Sequence, residues 1–103
     1  MTKYHAQRTE IDGVKFASKK EANRYLQLKA FERVGLIKDL KLQVPYQIIP
    51  KSKYGRAIKY VADFVYYEDG QKVVEDVKGF KTDVYKLKKR LMAEVYGIEV
   101  KEI

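Results

Sequence analysis

The sequence predicts a single α/β domain: a mixed sheet flanked by helices, with the elements in the order helix, three or four strands, helix, strand. Three observations carry this. Asp69-Gly70 joins two apolar, aromatic-rich runs and is the strongest short-range signal for a β-hairpin, because a type I′ turn needs positive φ at both central residues. Ser18-Lys19-Lys20-Glu21 has the form of a capping box and opens a helical pattern running to about Val34. A second helical pattern spans Asp83 to Tyr96, closed by Gly97, and is followed by a short strand-like tail from Ile98 to Ile103.

In chain order, residues 1–12 are polar and basic, with Lys3, His5 and Arg8, and read as an arm or a short strand. Phe16, just before the Ser18 cap, is placed as a hydrophobic staple. On a helical wheel Glu21, Tyr25, Leu28 and Glu32 share one stripe, so Tyr25 and Leu28 are expected to face the sheet, and Gly35 suits the helix stop. Two short strands are expected over about 36–44 and 45–50, punctuated by Pro45 and Pro50. Lys51 to Arg56 form a basic turn, and the hairpin of 57–67 and 71–78 follows. Gly79 to Thr82 connect to the second helix, whose apolar stripe is Val84, Leu87, Leu91 and Val95.

Composition narrows the function. A chain of 103 residues implies one domain over 1–103 with a small core, and 46% hydrophobic residues suffice for a globular fold. The absence of cysteine excludes disulfides, zinc–thiolate centres and cysteine nucleophiles. A single histidine, His5, expected on the surface, leaves little room for histidine metal sites or a Ser-His-Asp triad. Every apolar run is broken by charge, so no membrane span is expected and a cytoplasmic location is. A net charge of +8 favours a polyanionic partner.

The hairpin register points to chemistry. A two-residue loop at Asp69-Gly70 sets Glu68 opposite Gln71, Tyr67 opposite Lys72, Val65 opposite Val74 and Asp63 opposite Asp76, with Lys78 on the Asp76 side. Aspartate is a poor strand former, and like charges directly opposite one another are destabilising. At about 5 Å and an effective dielectric of about 20, the repulsion is roughly 3 kcal/mol. A hard divalent cation turns that repulsion into a binding site, and a lysine beside it can orient a water or steady developing negative charge. The plain alternative is a hairpin rim with solvated acids, against which stand the apolar neighbours Val65, Val74 and Val77. Glu21 likewise has two readings: the glutamate of the capping box, or an acid reaching the hairpin carboxylates from the helix start.

These residues resemble a known superfamily. Asp63 followed by Asp76-Val77-Lys78 matches the signature of PD-(D/E)XK nucleases, and Glu21 matches the additional acid of their first helix. The element order resembles their αβββαβ core. The whole chain is similar to a phage and prophage family of small Holliday-junction-resolvase-like endonucleases. That resemblance runs through Phe16-Ala17-Ser18-Lys19-Lys20-Glu21-Ala22, Leu42-Gln43-Val44-Pro45, Tyr60-Val61-Ala62-Asp63-Phe64, Glu75-Asp76-Val77-Lys78-Gly79 and Tyr85-Lys86-Leu87-Lys88-Lys89. Ala62 stands where a proline often precedes the first aspartate. The resemblance implies Mg²⁺- or Mn²⁺-dependent phosphodiester hydrolysis in a bacterial host. Asp63 and Asp76 would bind the metal, Glu21 would complete its shell, and Lys78 would position water or stabilise the transition state.

Further candidates surround this set. Gln43 and Glu75 are candidates for the supporting layer, although strict alternation points Glu75 to the opposite face unless a β-bulge intervenes. Lys51, Lys53 and Arg56 in the turn are candidate phosphate contacts, or simply solvated. Lys86, Lys89 and Arg90 cluster opposite the apolar stripe of the second helix, whereas Lys88 falls inside it and either snorkels or reaches a phosphate. The expected function is a metal-dependent DNA endonuclease acting on branched DNA, as a C₂ homodimer because symmetric junction cleavage needs two sites. A catalytically silent nucleic-acid-binding module on the same fold is the alternative, and an interaction protein using its tyrosine-rich surface is a third class.

Overall fold

The computed structural model describes residues 8–103. The basic arm expected over 1–12 therefore lies largely outside the described residues, Lys3 and His5 with it. From Thr9 onward the arm reading is replaced by a small hairpin: β1 (Thr9–Ile11) pairs antiparallel with β2 (Val14–Phe16). Its loop is Asp12-Gly13, with φ of 53° and 78°, the same positive-φ pair that Asp69-Gly70 supplies later, at 52° and 76°.

Helix α1 (Lys19–Arg33) starts where the Ser18 hydroxyl accepts the Glu21 amide at 3.1 Å, and it ends before Gly35, whose φ is 82°. The next strand, β3 (Lys38–Ile49), runs straight through Pro45 instead of breaking into two. Tertiary position explains the correction. The sheet order is β3, then β4 (Ile58–Glu68), then β5 (Gln71–Asp76), then β6 (Lys101–Glu102). Pro45 thus sits on an edge strand, where a missing N–H costs no ladder bond. The first three strands are antiparallel, while β6 runs parallel to β5 after the crossover helix α2 (Asp83–Tyr96). The domain is the expected single α/β unit, its mixed sheet flanked by two helices.

Two apolar clusters fill the faces of the sheet. Phe64 and Tyr66 pack with Tyr25, Leu28 and Phe16 beneath α1, whereas the intervening Val65 packs with Val74, Tyr85 and Met92 beneath α2. Farther along, the faces exchange. Leu42 belongs with the α1 cluster, but Val44 and Ala62 join the α2 cluster. Gln43 stands at this switch with a left-handed φ of 52°, a conformation that costs a non-glycine residue about 1–3 kcal/mol.

Helix α2 corrects a second expectation. Its boundaries, Thr82 cap and left-handed Gly97 stop match the sequence pattern, but of the stripe Val84, Leu87, Leu91 and Val95 only Leu91 packs against the core, and the other three are solvent-exposed. The inward face is Tyr85 and Met92, with Lys88 and Lys89 half-buried beside them. The helix is rotated by about 100°, one residue step, from the face its apolar periodicity favours. Polar tethers on the inward side hold it there: the Tyr85 hydroxyl donates to Glu102 at 2.9 Å, and the Tyr96 hydroxyl donates to the Gln47 carbonyl. The Tyr96 ring also stacks edge-on against Tyr46, with centroids 5.8 Å apart.

Candidate active site

The hairpin register holds as expected from Glu68–Gln71 through Val65–Val74 to Phe64–Glu75. One step further sets Asp63 beside Asp76. On the other side of β4, Leu42 pairs with Phe64 and Val44 with Ala62, which sets Gln43 beside Asp63. Asp76 in turn pairs with Glu102 on β6. A polar row of Gln43, Asp63, Asp76 and Glu102 therefore crosses all four strands.

The contacts within this row are specific. The Gln43 amide nitrogen donates to Asp63 Oδ1 at 3.3 Å and to Glu21 Oε2 at 3.2 Å, so one side chain ties the start of α1 to the central strand. The other Asp63 oxygen accepts the Val77 amide at 2.9 Å, where β5 leaves the sheet. Asp76 is fully buried. Its Oδ2 accepts the Tyr60 hydroxyl at 2.7 Å, while Oδ1 is buried with no hydrogen-bond partner among the described residues. The Lys78 ammonium stands 3.5 Å from that oxygen, near enough for charge attraction but not aligned as a hydrogen bond, and lies 4.8 Å from the centre of the Tyr85 ring.

The electrostatics follow from this packing. Burial, and then the neighbouring Asp63 carboxylate, push the Asp76 carboxyl up to about 7, against the opposing pull of Tyr60 and Lys78. Burial and Asp63 also raise Glu21 above the ordinary range, opposed by a backbone amide at Ala17 and by Lys78. Three carboxyl groups and one ammonium thus share a partly desolvated corner between the start of α1, the middle of the sheet and α2. Glu21 serves both sequence readings in part. Its amide completes the Ser18 cap, while its buried side chain turns to Gln43.

Not every candidate joins this corner. Glu75 keeps strict alternation, because no bulge interrupts the ladder between Phe64 and Glu68. It points to the α1 side, where Arg24 grips both its oxygens at 2.9 and 2.6 Å and the Tyr66 hydroxyl donates to one of them. The turn carrying Lys51, Lys53 and Arg56 is fully exposed at the tip of the β3–β4 ribbon. Arg56 lies roughly 20 Å from Asp63, at about 3.3 Å per residue. On α2, Lys86 is exposed and Lys89 bonds Glu102 at 3.2 Å. Sequence reasoning missed Tyr60, Tyr85 and Glu102. Only the high tyrosine count hinted at hydroxyl partners for buried acids, and nothing local marked which tyrosines they would be.

The donors of this corner suit a hard divalent cation in part. Among the described residues, no group of three or more His, Asp and Glu side chains gathers closely enough to form a complete protein cage. Mg²⁺ seldom needs one, since it is commonly held by one or two carboxylates with water and substrate phosphate supplying the rest. Asp76 Oδ1, orphaned among the described residues, with the Asp63 carboxylate next to it, offers that kind of hard-oxygen pair, and the donor set fits.

Fold and site together define a small mixed-sheet α/β domain with an acid pair, a lysine two residues on, and a glutamate delivered by the first helix. The chain matches, over residues 1–102, the family described as "Protein of unknown function (DUF1064)", and it belongs to that family. No curated protein and no solved structure matches it. No helix among the described residues is long and apolar enough to cross a membrane.

Proposed function

We propose that this protein is a divalent-metal-dependent endonuclease that hydrolyses phosphodiester bonds in DNA. One observation carries the reading: the register that pairs Phe64 with Glu75 brings Asp63 next to Asp76, whose carboxyl feels the Asp63 charge, with a buried Asp76 oxygen, unpartnered among the described residues, facing the Lys78 ammonium. Strands do not ordinarily retain such a juxtaposition without a cation to offset it.

Asp63 and Asp76 would hold Mg²⁺ or Mn²⁺, and Glu21, tied beside Asp63 by Gln43, would bind a metal-bound water. The bound cation supplies charge neutralisation at the phosphoryl oxygens and a more acidic attacking water. The chain's own residues do the rest. Lys78, held over Tyr85 and against Asp76, presents a fixed positive charge to the phosphate as negative charge builds. Tyr60 fixes Asp76 through Oδ2, and the Val77 amide and Gln43 fix Asp63 through its two oxygens, so that Asp76 Oδ1 is the carboxylate oxygen left without a hydrogen bond among the described residues. Gln43 fixes Glu21 relative to Asp63.

The preferred substrate in this proposal is branched DNA, four-way junctions in particular, cut by a C₂ homodimer in the cytoplasm of a phage- or prophage-bearing host. The resemblance of the sequence supports those finer points, and the net charge of +8 supports a nucleic-acid partner. Lys51, Lys53 and Arg56 at the ribbon tip, with Lys86 and Lys88 on α2, are the proposed distal phosphate contacts. The test is cleavage of labelled junction, flap and duplex DNA with Mg²⁺, Mn²⁺ or EDTA. Metal-dependent cutting that Asp76→Asn abolishes is the expected result. DNA binding without cutting under any metal would leave the silent binding module instead.

A further inference from the structure

The end of the polar row most remote from Gln43 is an anion site already filled by the protein itself. Glu102 Oε1 accepts Lys81 Nζ at 2.9 Å. Its Oε2 takes Lys89 Nζ at 3.2 Å and the Tyr85 hydroxyl at 2.9 Å. Two ammonium groups and a hydroxyl on one carboxylate are more than is needed to neutralise it. The surrounding groove, about 580 Å³, adds Lys86 and Arg90 against the single further acid Glu99. The groove stays net positive even with Glu102 in place.

We propose that Lys81, Lys89 and the Tyr85 hydroxyl form a second phosphate-binding subsite, in which the Glu102 carboxylate holds the place of a backbone phosphate of the substrate strand. The proposal rests on the nuclease reading and extends it by naming a substrate contact and an internal competitor. Position supports it. Glu102 is the register partner of Asp76, and neighbouring strands lie about 4.8 Å apart, so the subsite adjoins the acid pair. Tyr85 joins the two, with its hydroxyl on Glu102 and its ring beneath Lys78.

Magnitude supports it too. The Lys81 and Lys89 side chains are 49% and 38% exposed and that of Glu102 is 23% exposed. Ion pairs this open to water are weak, because solvent screens them and holding the long side chains in one geometry costs entropy. Exchanging the carboxylate for a phosphate oxygen on the same donors therefore costs little. Glu102 keeps the lysines ordered in the free protein and gives way when a strand is bound.

The experiment measures DNA affinity by fluorescence anisotropy in EDTA, where no cutting occurs, across a salt series. Glu102→Gln removes the competitor and Glu99→Gln is its charge-matched control in the same groove. Glu102→Gln should bind about three- to tenfold tighter than the control, with a salt slope steeper by about one unit as the freed lysines displace counterions from the DNA. Adding Lys81→Ala and Lys89→Ala to Glu102→Gln should erase the gain. The Lys81→Ala/Lys89→Ala pair in the wild-type background should flatten the salt slope by up to about two units, which decides the matter should Glu102→Gln melt early. Equal affinity of the two glutamine variants, a gain that survives loss of both lysines, or an unchanged slope in the lysine pair overturns the subsite. Wild-type protein that cuts DNA while these variants behave alike leaves the nuclease reading standing and removes only the subsite. Wild-type protein that neither binds nor cuts DNA removes both.

Discussion

Asp76→Asn separates the electrostatics of this site from its packing. Asparagine keeps the shape of the buried side chain and an oxygen for the Tyr60 hydroxyl, but it has no charge to set against Asp63. An unfolded aspartate titrates near about 3.9, whereas burial and Asp63 hold Asp76 at about 7. The folded state therefore binds the extra proton between these values, and wild-type stability falls as pH rises through that window. The full span of about three pKa units corresponds to about 4 kcal/mol, reached above the folded value and absent below the unfolded one. Asparagine escapes this loss. The variant should match the wild type near pH 4 and exceed it by up to about 4 kcal/mol at pH 8. For a domain of this size each kilocalorie is worth about 4–8 °C in Tm. Thermal melts of both proteins in EDTA from pH 4 to 8 make the comparison. Adding Mg²⁺ at pH 8 should raise the wild-type Tm and leave the variant unmoved, since a ligand at 100 times its Kd adds about 2.7 kcal/mol. Parallel stability profiles, or a variant less stable at every pH, would refute the reasoning that a buried, repelled carboxylate sits at the centre of the site.

Lys78→Ala should lower kcat by about 100-fold or more while DNA affinity changes little, because its proposed partner is the charge of the transition state; equal losses in both would make it an ordinary phosphate contact. Glu21→Gln leaves untouched the backbone amide that donates to the Ser18 cap and keeps an oxygen for Gln43, so Tm should hold while turnover or metal affinity falls by about 10- to 100-fold. Full activity in that variant would assign Glu21 to the helix start alone. Arg24→Ala strips the partner from the fully buried Glu75 and should cost about 3 kcal/mol in urea denaturation; a loss below about 1 kcal/mol would show that Tyr66 alone satisfies that carboxylate.

Short-range backbone geometry was legible from the residues alone. Asp69-Gly70 sets its strand register because two positive-φ residues admit one tight turn, and that register, continued one step past Phe64–Glu75, brings Asp63 next to Asp76. The Ser18 cap, the Gly97 stop and the existence of both helices follow from equally local chemistry. The same Asp-Gly signal stands at residues 12 and 13, but the runs beside it are short and polar, so local pattern does not mark a hairpin there.

Only the tertiary structure decided which side of α2 faces the sheet. Its apolar stripe is periodic, but periodicity names a stripe without naming its partner, and the hydroxyls of Tyr85 and Tyr96 find acceptors on the other side. The edge position that lets β3 carry Pro45, the left-handed turn at Gln43, and the meeting of Gln43 with Glu21 and Asp63 likewise depend on segments some 20 residues apart crossing in space. Glu102 joins the polar row for the same reason. A parallel strand returns beside β5 only after a whole helix has crossed over, and no local pattern records where it lands.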